Sequence, residues 1–283
     1  MDIENKQNPA NPGLPGKWPL KRCVCTGGNM SVLCVVAVSS VTQLHDVVYV
    51  VCYWSSTIWR FNATTHDRLA DIDVKGLRHP HIIAACEQTS QIYVADRMER
   101  VWQMSADGED IKILLPKIKP RSLSVTSTRL LVASQGTKEL LQFDADGNEL
   151  RRVRLPDYMD PHHAVESAAG TFIVSHSNTQ LNQYQVSEVD GVGNVLHQLS
   201  GSGIPSLVLP PRVAVESHGN IFLTDAHNCT ISLLDAQLKL RRVIIDEDQL
   251  NHKQPRRVCY IEPTGQLLVG MEDSVAVFGV LCQ

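Results

Sequence analysis

Residues 210–238 read PPRVAVESHGNIFLTDAHNCTISLLDAQL. A proline opens a short apolar run, Arg212-Val-Ala-Val; a Ser-His-Gly-Asn turn follows, then Ile221-Phe-Leu-Thr-Asp and Thr230-Ile-Ser-Leu-Leu. Proline has no N–H to give a ladder, so it belongs at the first residue of a strand. Apolar and β-branched runs this short, separated by Gly, Asn and Asp, are hairpin strands and not helices, whose 3.6-residue period is absent. The stretch is one antiparallel meander.

The same unit recurs. Its opening proline appears in Pro80-His-Ile-Ile-Ala, Pro120-Arg-Ser-Leu-Ser, Pro161-His-His-Ala-Val, Pro211-Arg-Val-Ala-Val and Pro255-Arg-Arg-Val-Cys, at separations of 40, 41, 50 and 44. About ten residues after each comes a second strand: Gln91-Ile-Tyr-Val-Ala-Asp, Arg129-Leu-Leu-Val-Ala-Ser, Thr171-Phe-Ile-Val-Ser-His, Asn220-Ile-Phe-Leu-Thr-Asp and Gln266-Leu-Leu-Val-Gly-Met. An earlier unit without the proline is read as Leu33 to Val38, Val47 to Cys52, Thr57 to Phe61 and Arg68 to Ile72. Six units of four strands predict an all-β fold, a six-bladed β-propeller of four-stranded antiparallel blades. The sixth unit has three evident strands before the chain stops, and an open edge is a liability. Trp18 to Cys25 can supply the missing strand and close the ring.

Residues 1–17, rich in Asn, Pro and Gly, are expected to be a disordered leader or linker ahead of a propeller over 18–283. With 26 Lys and Arg against 30 Asp and Glu, the net charge of −4 excludes binding of nucleic acid through overall basicity, and duplex DNA is not an expected partner. No apolar stretch approaches bilayer length, so no membrane partner is expected. The first residues lack the basic and apolar regions of a secretory signal, and the expectation is a cytoplasmic monomer. The eight cysteines contain no C-x-x-C pair. Cys34, Cys52, Cys86 and Cys259 are read as small hydrophobes, and an antiparallel closing strand keeps Cys282 away from Cys23 and Cys25.

The first strand of each propeller blade lines the central channel, so the residue after each anchor proline is expected near one channel mouth. These are His81, Arg121, His162, Arg212 and Arg256, with Val35 at the matching place in unit one. Three guanidiniums around one axis suit a carboxylate, a phosphate or an acidic side chain. Asp96 and Asp225 at the ends of second strands are read as turn caps, Asp144-Ala-Asp-Gly as a hairpin turn and not a calcium loop, and Arg151-Arg152 and Arg241-Arg242 as solvated edge charge. No G-x-S-x-G, P-loop or Rossmann fingerprint is present, and the balance of the sequence is against an enzyme.

The pattern Pro-x-[Ile/Val]-Ala-Val, then Gly-x-[Ile/Phe]-[Tyr/Phe]-Val-x-Asp, then a third strand ending in Asp-x-x-Gly, resembles NHL repeats over residues 31–282. Unit one lacks the proline, and Ser134 replaces the aspartate of unit three. Similarity to the TRIM-NHL group implies a binding scaffold that holds an acidic protein segment or an RNA on one face, with no cofactor. No RING accompanies the propeller here, so ligase activity is not expected of this chain alone. A more distant resemblance to the peptidyl-hydroxyglycine amidating lyase implies an alternative, a zinc-dependent lyase with His81 and His162 as metal ligands. The third ligand position then falls on Arg256, which cannot bind zinc. His163 or His79 is a possible substitute.

Overall fold

The computed structural model describes residues 21–23, 38–134, 136–199 and 206–280. They form six four-stranded antiparallel sheets. Blade one runs Val38–Leu44, Val47–Cys52, Thr57–Asn62 and Ile72–Asp73; blade two runs Pro80–Cys86, Gln91–Asp96, Arg100–Ser105 and Lys112–Leu115. The remaining inner strands are Pro120–Thr126, Met159–Glu166, Val213–Val215 and Arg257–Ile261.

Each sheet is apolar on both faces because it is sandwiched between two neighbours. The core accordingly divides into six clusters, one at each junction. Tyr49 and Val51 of blade one meet Ile83, Val94 and Met104 of blade two, and the series continues round to Phe222 and Ile231 of blade five against Leu267 and Phe278 of blade six. The last junction packs Leu268, Val275 and Val277 against Val38, Val48 and Val50, so the ring is closed by side-chain packing between the end of the chain and its beginning. Closure is also made through the backbone. Lys21–Cys23 pairs antiparallel with Val275–Gly279 as the outermost strand of blade six, with Cys23 opposite Val275. That removes the open edge. Among the described residues no helix is long and apolar enough to cross a membrane.

Blade one begins later than its sequence suggests. The strand that pairs with Val47–Cys52 is Val38–Leu44, and Ser39 occupies the place assigned to Val35, which lies outside the described residues together with the leader 1–17 and Cys25, Cys34 and Cys282. Without an anchor proline the continuous apolar run Val32 to Val38 offered no phase marker. Cys52 and Cys86 are buried in the core, as small hydrophobes would be, and Cys259 is half-buried.

The prolines also mark a defect. In blades two, three and four the ladder shifts register between Pro80 and Ile82, Pro120 and Ser122, and Pro161 and His163. His81, Arg121 and His162 are therefore bulge residues, and the same shift makes Ser39 the bulge residue of blade one. A bulge re-aims one side chain and inverts the facing of the residues after it. Blade six keeps the same register: Arg257 pairs with Gly270, and the Arg256 N–H also donates to the Gly270 carbonyl at 2.8 Å, so Arg256 takes the bulge place.

Candidate functional site

Because all inner strands run the same way along the channel, their first residues meet at one mouth. There Arg257 of blade six spans the opening: its Nε donates to the carbonyl of Ser39 in blade one at 2.9 Å and its Nη2 to that of His81 in blade two at 3.1 Å. Arg212 of blade five donates from Nη1 to the carbonyl of His162 in blade four. Arg121 of blade three donates to Asp160 at 2.9 Å and to Nδ1 of His162 at 2.9 Å. His162 completes its bonding with the Ser177 hydroxyl at 2.6 Å, and His81 Nε2 lies 2.9 Å from the carbonyl of Pro120. His163 lines the channel beside Arg257, and its Nδ1 accepts the backbone N–H of Val213 at 3.3 Å.

Four of the five residues expected at this mouth, His81, Arg121, His162 and Arg212, are thus linked by hydrogen bonds around it. Arg256 is turned outward to Glu272 at 3.5 Å, and the arginine aimed into the channel is its neighbour Arg257. By register Arg257 pairs with Gly270 as Ile82 pairs with Ala95 and His163 with Ser175, so it stands where those blades carry the second residue after the proline. The repeat points to the first residue after each proline, whereas His163 and Arg257, the second, line the channel; the doublets His162-His163 and Arg256-Arg257 flagged the positions.

The electrostatics are one-sided. Arg121 has the Asp160 carboxylate, but among the described residues no carboxylate pairs with Arg212 or Arg257, whose bonds go to neutral carbonyls. Arg257 lines the channel, and Arg212, half-buried, directly precedes the channel-lining Val213. Burial, with Arg257 and Arg121 close by, pushes the Arg212 guanidinium well below its ordinary range. Burial and Arg256 bring Arg257 down to about 10. An arginine does not lose its proton in such a place, so the strain of unbalanced positive charge persists until an anion relieves it. The histidines add no charge. Burial, then Arg121 and Arg212, holds His162 at about 3; burial chiefly holds His81 at about 4 and His163 well below its usual value.

Nothing in this arrangement favours the zinc reading. His162 turns Nδ1 toward an arginine and Nε2 toward a serine, and His81 spends Nε2 on a carbonyl. Among the described residues the one group of three side chains able to converge on a metal is Glu216, His218 and Glu262 at the opposite mouth, and neither histidine belongs to it. The other motifs are structural. Asp225 accepts the N–H groups of His227 and Asn228, and Asp144 accepts those of Asp146 and Asn148, both as turn caps. Arg152 pairs with Glu139 and Glu149 on the surface, and Arg241 with Asp235.

No family model matches the sequence, and no curated protein does. Solved structures do resemble it. Hydrazine synthase of Kuenenia stuttgartiensis aligns over 90% of this chain and 99% of that chain at 12% identity, with a TM-score of 0.65. Streptogramin B lyase aligns over 92% and 97% at 9% identity and 0.64, and a nidogen/laminin complex over 76% and 82% at 17% identity and 0.60. The likeness is one of fold. At these identities the six-bladed propeller is shared while the chemistry of the neighbours is not carried over.

Proposed function

We propose that this propeller is a binding scaffold that holds an anionic partner, an acidic protein segment or an RNA, at the mouth framed by His81, Arg121, His162, Arg212 and Arg257. The observation that carries the reading is the pair Arg212 and Arg257, enclosed in the channel mouth with only neutral carbonyls for partners. A guanidinium needs a compensating charge when walled off from bulk water, and a carboxylate or phosphate oxygen gives it a charge-assisted bond. The resemblance to NHL repeats supports the same face.

Polyglutamate and polyuridylate are suitable test anions for the whole chain. At least one is expected to bind at low ionic strength, with affinity falling steeply as salt rises. Arg257→Gln should weaken it by roughly 10–100-fold, the worth of one charged hydrogen bond, whereas Arg256→Ala should leave it nearly unchanged. Between pH 6 and 8.5 affinity should be flat, because the histidines stay neutral and the arginines charged throughout. Binding of neither polymer, or equal binding by Arg257→Gln in protein whose melting curve shows it folded, would overturn the reading.

A further inference from the structure

Beside this mouth, on the junction of blades one and two, lies a second feature that packing of the fold does not require. The Tyr53 and Trp54 rings meet edge to face at 4.7 Å, and the imidazole of His79 closes a triangle with them at 5.0 and 4.9 Å. The guanidinium of Arg97 sits 5.4 Å from the centre of the Tyr53 ring. Trp54 is nonetheless 69% exposed and Met98, beside Arg97, 52% exposed. A tryptophan gains most by burial, so a rigidly braced but uncovered one is the kind of anchor that interfaces are built on.

The shelf is joined to the arginine mouth. His79 stands two residues before His81, at most ~7 Å of chain, and it is the His81 carbonyl that Arg257 holds. In the turns that adjoin the shelf, the exposed bases Lys75, Arg78, Arg97 and Lys117 outnumber the exposed acids Asp73 and Glu99, and Glu99 is paired with Lys119. Charge complementarity therefore calls for an acidic occupant on both counts. The channel, about 780 Å³, has Arg257 and His163 at this end and Glu166, Glu216 and Glu262 toward the opposite mouth, so its near end alone suits an anion and decides the occupant's form. A phosphodiester carries a sugar on each side and cannot enter a walled mouth end-on, whereas a carboxylate terminates its side chain and can.

The geometry points to an acidic peptide segment of another protein as the occupant, one Asp or Glu reaching Arg257 and Arg212 while an aromatic or aliphatic side chain one or two positions away packs on Tyr53, Trp54 and His79. This rests on the anionic-partner reading and narrows it. The peptide spacing comes from the span between shelf and mouth, since one to two residues of extended chain cover ~3–7 Å.

A random heptapeptide display library panned on the whole chain tests it. Recovered sequences are expected to place Asp or Glu one or two positions from Trp, Tyr, Phe or Leu. The leading peptide should lose at least tenfold in affinity on Trp54→Ala, a surface change that leaves the blades packed. It should lose as much on Arg257→Gln, and on Glu-to-Gln or Asp-to-Asn exchange in the peptide; Arg97→Ala, which also removes a brace of Tyr53, should lose less. Peptides without that pairing, or a leading peptide indifferent to Trp54→Ala, overturn the inference. If a twelve-nucleotide oligouridylate binds in an Arg257-dependent way and no peptide is recovered, the inference falls while the anionic mouth stands. If neither binds, both fall.

Discussion

Asp96→Ala should destabilise the propeller by about 3–5 kcal/mol, the cost of removing one partner of a buried ion pair and leaving the other. The side chain of Asp96 is fully buried and serves three donors at once. Its Oδ2 accepts from Arg100 at 2.6 Å and from the Trp102 indole N–H at 2.9 Å, while Oδ1 accepts the backbone N–H of Met98 at 2.9 Å. Alanine strands all of them, and Trp102 is part of the junction between blades one and two. Arg100 keeps one bond, to the carbonyl of Gly76 at 2.8 Å. For a chain of this size the loss should appear as a fall in Tm of roughly 6–20 °C. Asp225→Ala makes the comparison. It removes a cap of the same type, bonded to His227 and Asn228 but to no guanidinium, and should cost about 1–2 kcal/mol, as helix and turn caps do. Equal losses in the two variants would mean that the Asp96–Arg100 pair adds nothing to the cap.

That contrast shows what the sequence made legible. An aspartate at the end of a second strand reads as a turn cap, and both Asp96 and Asp225 are caps. The guanidinium and indole that crowd onto Asp96 come from the next strand, four and six residues on, and nothing in the repeat distinguishes them from ordinary third-strand residues. The blades themselves were readable because proline and glycine punctuate them at a fixed spacing; blade one, which lacks its proline, was displaced along an apolar run that any phase fits.

The mouth shows the same division. Which strand ends converge there is set by the repeat alone. Which side chain of each doublet lines the channel depends on the bulge that sets the register, a one-residue event with no compositional signal: in Pro161-His-His and Pro255-Arg-Arg alike it is the second residue, His163 and Arg257. The shelf of Tyr53, Trp54 and His79 was invisible for another reason. These residues sit in turns, where no periodicity exists to be broken, and they are brought together only by the docking of two blades.

Acid should unfold this protein earlier than its carboxylates alone would allow, and the cause is its buried histidines. His176 is fully buried in blade four, with Nε2 2.9 Å from the Ser187 hydroxyl and Nδ1 without a partner. Burial holds it at about 4, as it holds His81; His162, with Arg121, Arg212 and His176 around it, is held at about 3. Unfolded, each titrates near 6.5. The unfolded chain therefore binds more protons than the native one at every pH between those limits, and stability must fall as pH drops below about 6.5, continuing until the native values are reached. Each such histidine contributes at most about 1.4 kcal/mol per pH unit, so three acting together give a slope of roughly 4 kcal/mol per unit across pH 6 to 4.5. Exposed carboxylates with lowered values, such as Asp144 and Asp190, have the same sign but act below about pH 4, outside that window. Urea unfolding from pH 7.5 to 4.5 measures the slope, and His176→Gln should reduce it by about one proton's worth even if it lowers stability at pH 7. A stability that stays level from pH 7 to 5 would show that these imidazoles reach water or a partner in the native state, and would remove the ground for treating the positive charge at the channel mouth as arginine alone.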